Sequence, residues 1–144
     1  MNKAIGIIGL LSSFALASLV RAENPQHLQQ LDMTGECVAC NLSGADLRDA
    51  HLIGVDLRHA DLSHANLTGA NLEGADLTGA NLEGAILDSA FVTNASLNNT
   101  NLDRVDFTAA IIYDADTRGA SMNNLNLTNA QIYNTGISIG GTEE

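Results

Sequence analysis

Cys37 and Cys40 form a C-x-x-C motif and are the only cysteines in the chain. This spacing occurs in disulfides, in thioredoxin-like redox pairs and in half-sites for zinc. No βαβ pattern surrounds the motif to support redox chemistry, and no second cysteine or histidine pair completes a zinc shell. In an exported chain both thiols are expected to be oxidised. A structural disulfide is therefore predicted, with the redox pair and the metal site as its rivals.

Four histidines are the other candidates for chemistry: His27, His51, His59 and His64. A histidine acts as a general base when it lies within hydrogen-bond reach of the group that it deprotonates. None of the four is paired by position with a plausible nucleophile, and the serines and threonines occur singly. We therefore expect solvated surface histidines, no catalytic residues, no cofactor and no enzymatic activity.

The beginning of the chain has the pattern of a secretory signal. After a short positive start, residues 4–20 are apolar apart from a few serines and glycines, and Val20-Arg21-Ala22 places small residues where a signal peptidase reads them. We predict a signal peptide over residues 1–22, cleaved before Glu23. The alternative is a retained membrane anchor, for which an apolar run of about 17 residues is at the lower limit.

Removal of this segment leaves a strongly acidic chain. Four arginines (48, 58, 104 and 118) then face 17 carboxylates, for a net charge of about −13. Such a surface repels nucleic acid and anionic membranes and favours solubility. The composition therefore predicts no nucleic-acid ligand and no membrane contact after cleavage.

A five-residue repeat runs from residue 40 to residue 139, and Ala60-Asp61-Leu62-Ser63-His64 is a clear copy. We number each unit from its leucine, called the centre, so that the unit spans positions −2 to +2. Of twenty centres from 42 to 137, thirteen are Leu, and fourteen of the residues at −2 are Ala. The residue at −1 is Asp or Asn in twelve units. A strict internal period of this kind indicates a solenoid.

The order of apolar and polar residues in each unit predicts an extended segment with a bend. Positions −2 and 0 are apolar and the others are polar, which is the alternation of a segment with one buried face. The phase resets every five residues, so the chain must turn near +2, where Gly occurs seven times and Asn, Asp and Ser are frequent. A period of five drifts around a helix surface, which excludes an amphipathic helix.

The A-(D/N)-L-x-x units of residues 40–139 resemble the pentapeptide-repeat proteins, and residues 35–47 resemble the beginning of exported cyanobacterial members. The resemblance implies an all-β fold, a right-handed quadrilateral parallel β-helix with one unit per side and twenty residues per coil, hence about five coils. Large and small side chains then alternate inside each coil and fill a narrow bore.

Residues 23–39 are predicted to cap the first coil. Asn24 is a favourable N-cap, Pro25 suits the first turn of a helix, and Leu28 and Leu31 share one face. Solenoids need capped ends, so we expect a short α-helix over the top of the rod, followed by a turn. The predicted disulfide would then fasten this cap to the first coil.

The C-terminal tail, residues 140–144, is too short to cap the other end. Two copies are able to pair there through an open edge, as a homodimer. Alternatively, the last carboxylates keep that edge solvated.

Twenty residues per coil place outward side chains in vertical columns. One column contains Asp56, Asp76, Ser96 and Asp116; another contains Asn41, Asp61, Asn81, Asn101 and Ser121. Stacked oxygens are able to bind calcium. However, alternation of Asp with Asn relieves repulsion without a metal, and the Gly-Gly-x-Gly-x-Asp calcium repeat is absent. We therefore predict no metal site.

One outer side departs from this polar pattern. Apolar and aromatic residues at outward positions are predicted to form a stripe on the lower coils: Ile86, Phe91, Ile111, Tyr113 and Tyr133. Exposed apolar patches mark interfaces, and Tyr and Phe are favoured in them. The alternative is that a terminal loop or a decayed repeat covers these residues.

Together these patterns predict a non-enzymatic structural or protein-interaction module, exported to the periplasm or the thylakoid lumen, with an unidentified protein partner. The alternative is an acidic mimic of DNA that binds DNA gyrase, as some pentapeptide-repeat proteins do. The predicted signal peptide argues against the alternative because gyrase is cytoplasmic.

Overall fold

The computed structural model describes residues 24–137. The predicted signal peptide (residues 1–22) and the tail (residues 140–144) lie outside the described residues. Within the described range, no helix is long and apolar enough to cross a lipid bilayer.

A single helix, α1 (Pro25–Thr34), precedes the repeats. The Asn24 side chain accepts a hydrogen bond from the backbone N–H of Gln26 at 3.0 Å, which caps the first turn. The helix ends at Gly35, whose φ of +68° is the left-handed conformation common after helices. The N-cap is the residue that the sequence analysis favours, and the helix ends next to the first coil.

The contacts of α1 hold it against that coil. The backbone N–H of Asn24 donates to the carbonyl oxygen of Asn41 at 3.2 Å, and the N–H of Asn41 donates to Nδ1 of His27 at 2.8 Å. Leu31 is buried, and Leu28 is partly buried against the core. The two leucines therefore face the coil, as their spacing predicts.

The rest of the chain winds into coils that are joined by parallel backbone pairing between residues twenty apart, from Glu36↔Asp56 to Tyr113↔Tyr133. In a typical unit, the N–H of Asp61 donates upward to the carbonyl of Cys40 at 2.8 Å, and the N–H of Leu62 donates downward to the carbonyl of Asn81 at 2.7 Å. Each described coil therefore contains four units.

The pairing begins at Glu36, four residues before the predicted start at residue 40. Residues 35–39 form an extra unit in which Glu36 occupies −1, Cys37 is the centre and Ala39 turns the corner with a φ of +55°. The consensus residues are missing from this unit, although its backbone follows the repeat. Residues 35–39, which were predicted as part of the cap and its entry turn, therefore follow the backbone of the repeat.

Continuous strands are short. In residues 24–137 they comprise β1 (Ile111–Tyr113) and β2 (Gln131–Tyr133), which pair in parallel with Ile112 opposite Ile132. The other sides pair through single-residue bridges. The fold has less strand than an all-β prediction suggests, because a turn in every unit leaves little extended chain between corners.

The corners explain this geometry. All twenty residues at five-residue intervals from Ala39 to Asn134 have a positive φ, and seven of them are glycines. Left-handed backbone is strained for most residues but is accessible to Gly, Asn and Asp. The predicted bend near +2 is confirmed.

The core is a column of inward side chains. Leu62, Leu82 and Leu102 are fully buried one above another, and Ala60 and Ala80 are buried beside them. Inward residues of the last described coil are an exception, since Met122 and Leu127 are only partly buried. The bore is packed with side chains along the upper coils.

Candidate interaction surface

The predicted stripe begins with a vertical column on one side of the rod. Phe91 pairs with Ile111, and Ile111 pairs with Gln131. The N–H of Ile111 donates to the carbonyl of Ala90 at 2.9 Å, which fixes the register of the column. The side chains at these outward positions therefore stack in successive coils.

A tyrosine pair lies two positions further along the same side. The rings of Tyr113 and Tyr133 meet edge to face, with centroids 6.4 Å apart and planes at 87°. The Tyr113 hydroxyl donates to Oε1 of Gln131 at 2.8 Å. Such aromatic pairs are favourable beyond the area that they bury. This contact holds the Tyr113 ring in a defined position.

Exposure is uneven across the stripe. Tyr133 is 69% exposed, Phe91 45% and Ile86 39%. Ile86 lies on the adjoining side, between Asn66 and Asp106 in its own column. Ile111 and Tyr113 are only partly exposed.

Three further exposed hydrophobic residues were not part of the predicted stripe: Met33, Val38 and Ile53. Ile53 shares the column of Tyr113 and Tyr133 but is separated from them by Glu73 and Thr93. Val38 is outward because it occupies +1 of the unit that begins at Gly35. Recognition of that divergent unit would have identified it.

The four arginines of the rod each contact a carboxylate: Arg48 with Asp46, Arg58 with Asp56, Arg104 with Glu83 and Arg118 with Asp116. The Arg58–Asp56 contact is 2.6 Å, and its hydrogen bonds lower the pKa of Asp56. Each positive charge of the described rod is therefore offset by a neighbouring carboxylate.

Other acidic residues are hydrogen-bonded to amides in the next coil. Nδ2 of Asn81 donates to Oδ1 of Asp61 at 3.3 Å, and Nδ2 of Asn126 donates to Oδ1 of Asp106 at 3.0 Å. Among residues 24–137, no group of three or more His, Cys, Asp or Glu side chains is placed to hold a metal ion.

Three of the four histidines contact the backbone or the neighbouring coil, and His51 lines a groove described below. Nδ1 of His27 accepts from the Asn41 N–H, as described for the cap. The rings of His59 and His64 lie over Gly79 and Gly84, where an added Cβ would come within 2.5 Å and 2.7 Å of their Nδ1 atoms. The glycines at these corner positions therefore leave space for the imidazole rings of the coil above.

Cys37 and Cys40 are joined by a disulfide and are both buried. They occupy consecutive inward positions of the first coil. The bond was expected to join the cap to the coil, but it joins two units of the coil itself. The bond lies within the coil because the pairing already starts at Glu36. The cap nevertheless contacts it, since Sγ of Cys37 lies 3.3 Å from the carbonyl oxygen of His27.

An open groove of about 430 Å³ separates α1 from one edge of the first coil. Leu28 and Leu31 line it from the helix, and Leu52 and Ile53 line it from the coil, with His51 at its margin. The groove follows from a helix that covers only part of the top of the rod.

Stacked five-residue sides around a packed bore define a repeat solenoid whose accessible surfaces are its outer sides. The protein-family model "Pentapeptide repeats (8 copies)" matches this chain at residues 40–79, 65–102, 75–112 and 100–135. The chain belongs to the pentapeptide-repeat family, whose members fold as right-handed quadrilateral β-helices and are generally structural or interaction modules, not enzymes.

Two solved structures are similar to this chain. A pentapeptide repeat protein from the thylakoid lumen of Arabidopsis thaliana is 33% identical, with a TM-score of 0.63, over 70% of this chain and 68% of that one. Another, from Nostoc PCC 7120, is 30% identical, with a TM-score of 0.62, over 76% of this chain and 95% of that one. No curated protein matches significantly.

Proposed function

We propose that this chain is a non-enzymatic module that binds a protein partner through the stripe of Ile86, Phe91, Ile111, Tyr113 and Tyr133. The observation that carries the proposal is the exposed apolar surface of Ile86, Phe91 and Tyr133 on a rod whose other outward columns are mainly polar. Ile111 and Tyr113 are partly exposed and continue this surface. Large aromatic side chains contribute strongly to protein interfaces because they bury much area with few rotatable bonds.

Geometry supports the stripe as one surface. Phe91 and Ile111 stack in a single column, and Tyr113 and Tyr133 stack in the next column of the same side. The hydrogen bond between Tyr113 and Gln131 and the edge-to-face ring contact hold the lower part in one arrangement. A preorganised surface loses less conformational entropy when it binds.

The test is photo-crosslinking in the native cell, with a benzophenone amino acid at Tyr133 and, as the control, at Val38. Both positions are exposed hydrophobic residues, on different sides of the rod. We expect a discrete adduct at Tyr133 that is absent at Val38 and is lost in the variant Phe91→Ser/Ile111→Ser/Tyr113→Ser, with the fold checked by circular dichroism. Equal adducts at both positions, or an adduct that survives the triple substitution, would contradict the proposal.

We also propose that the chain acts after export, in the thylakoid lumen or the periplasm. The signal pattern of residues 1–22 supports this location, and one similar structure is of a lumenal protein. The disulfide between Cys37 and Cys40 is consistent with an oxidising compartment.

A gyrase-binding mimic of DNA is the second candidate, because about 13 net negative charges on a narrow rod imitate a polyanion. Cell fractionation with sequencing of the mature N-terminus separates the two. We expect Glu23 as the first residue in an exported fraction. An intact Met1 in the cytosol would instead favour the gyrase candidate.

A further inference from the structure

The groove between α1 and the first coil opens on the same side of the rod as the stripe. Ile53, which lines the groove, stands in the column of Tyr113 and Tyr133, because backbone hydrogen bonds join this side from coil to coil. His51, at the margin of the groove, stands in the column of Phe91. The groove and the stripe therefore lie at the two ends of one continuous side.

The floor of the groove is apolar and incompletely covered. Three inward residues near the top of the rod, Leu47, Leu52 and Val55, each keep a small exposed fraction. The equivalent residues one coil lower are fully buried: Leu67, Leu72 and Ala75. The outward side chain of Ile53 is 58% exposed and adds apolar surface beside this floor. An apolar side chain of a partner would thus find both a recess and an apolar rim here.

Between the groove and the stripe the same side is polar and carries one carboxylate. Its outward positions −1 and +1 from residue 51 to residue 133 hold Glu73 and no lysine or arginine. Glu73 is exposed, and its carboxylate makes no hydrogen bond or ion pair within residues 24–137. Asp32, on the helix wall of the groove, is likewise unpaired among the described residues. Both carboxylates are therefore accessible to a cationic group.

We propose that the groove is the upper part of the partner-binding surface and receives a second apolar anchor of the same protein partner. This inference rests on the proposed function of the stripe. Ile53 and Tyr113 are sixty residues apart, which is three coils, so the two apolar ends are about 14 Å apart at about 4.8 Å per coil. The partner segment has apolar side chains at this spacing and a lysine or arginine between them, opposite Glu73.

The physical chemistry of this side favours such a segment. A wholly apolar segment would cover the Glu73 carboxylate without a partner, and burial of an unpaired charge costs free energy. An acidic segment would be repelled by a rod with about 13 net negative charges. The backbone of this side is already paired between coils, so the contact is made by side chains.

Photo-crosslinking from the groove tests whether one partner covers both ends. The benzophenone amino acid is placed at Ile53 of the full chain in the native cell, beside the Tyr133 and Val38 positions already described. We expect the Ile53 adduct to contain the same protein as the Tyr133 adduct. Tandem mass spectrometry should map the two attachment sites within about ten residues of one another, since 14 Å of helix is about nine residues.

The outcomes separate this inference from the proposed function. A different protein at Ile53, no adduct at Ile53 while Tyr133 gives one, or attachment sites far apart in the partner sequence would overturn the inference and leave the stripe as the binding surface. Absence of an adduct at Tyr133 would overturn both.

Removal of the apolar rim tests the second anchor directly. Ile53→Ser should lower the yield of the Tyr133 adduct several-fold, because the partner then loses apolar contact at the groove. Val38→Ser is the matched control, since Val38 is also an exposed hydrophobic residue at position +1 of its unit. Equal yields in the two variants, both folded by circular dichroism, would overturn the second anchor.

The basic residue of the partner is tested by removal of the carboxylate. Glu73→Gln should lower the yield of the Tyr133 adduct about two- to fivefold, the effect expected from loss of an exposed ion pair. Glu83→Gln is the control, because Glu83 has the same unit position on the opposite side of the rod and contacts Arg104. An unchanged yield with Glu73→Gln, or an equal decline with both variants, would overturn the assignment of a basic segment.

Discussion

At the scale of single residues, the side chain at −1 turns the chain at each corner. Oδ1 of Asp61 accepts from the backbone N–H of Ser63 at 3.0 Å, and Oδ1 of Asn66 accepts from the N–H of Thr68 at 3.1 Å. Asp and Asn favour such turns because their short side chains reach the backbone two residues on. From the sequence, the alternation of Asp with Asn is expected to relieve repulsion between columns of carboxylates. The structure adds a role for these side chains in turning the backbone.

Asp116 should make a pH-dependent contribution to stability. Its carboxylate accepts from Nε of Arg118 at 2.9 Å and from the Arg118 backbone N–H at 3.2 Å, and these bonds lower its pKa from the ordinary 3.8. A group whose folded pKa is lowered stabilises the fold above its unfolded pKa and loses that contribution as the pH falls through the folded pKa. Asp116→Asn should therefore be less stable than wild type at pH 7.

Urea unfolding at a series of pH values checks this prediction. The stability difference between Asp116→Asn and wild type should shrink as the pH falls below about 3.8, the ordinary pKa of the group. Asp88→Asn is a suitable control, since the Asp88 carboxylate bonds to the neighbouring Ser89 hydroxyl and not to an arginine. A difference that stays constant down to strongly acidic pH would show that Arg118 does not stabilise the Asp116 carboxylate.

At the scale of elements, the contribution of a central leucine to the stability of the rod depends on the coil in which it lies. Leu82 and Leu127 are both centres of their units, but Leu82 is fully buried and Leu127 only partly buried. Leu82→Ala should destabilise the rod by about 2–5 kcal/mol, since it leaves a cavity between packed coils. Leu127→Ala should cost clearly less. Equal losses in urea unfolding would show that the last described coil, which contains Leu127, is as well covered as the middle ones.

The elements were predictable where the residues follow a general rule. Asn24, Pro25, Leu28 and Leu31 carry the start and the buried face of α1, and the structure agrees. The first unit of the rod was missed because it has Glu36 and Cys37 where the repeat has Asp or Asn and Leu. Its neighbours impose the backbone pairing, so the unit is recognisable from its contacts and not from its composition.

At the scale of the whole molecule, the distribution of charge matters more than its total. The net charge of about −13 was evident from the sequence, as was the site of an apolar stripe once twenty residues were assigned to each coil. The partial burial of Ile111 and Tyr113 was not evident from the sequence, because it depends on the size and orientation of the side chains around them. The hydrogen bonds that Asn126 and Asn134 donate to the aspartates one coil above likewise depend on side-chain placement that the sequence does not give.

The register of twenty residues limits how the length of such a rod is able to change. Insertion of one five-residue unit between Phe91 and Ile111 would preserve the inward pattern, so the chain could still fold. Every later residue would, however, rotate by a quarter turn, and Ile111 would no longer stand below Phe91. Only insertions or deletions of a complete coil leave both the core and the outer columns aligned. Duplication of a single five-residue unit would therefore lengthen the rod and preserve its core, but it would disrupt the alignment of the outer columns.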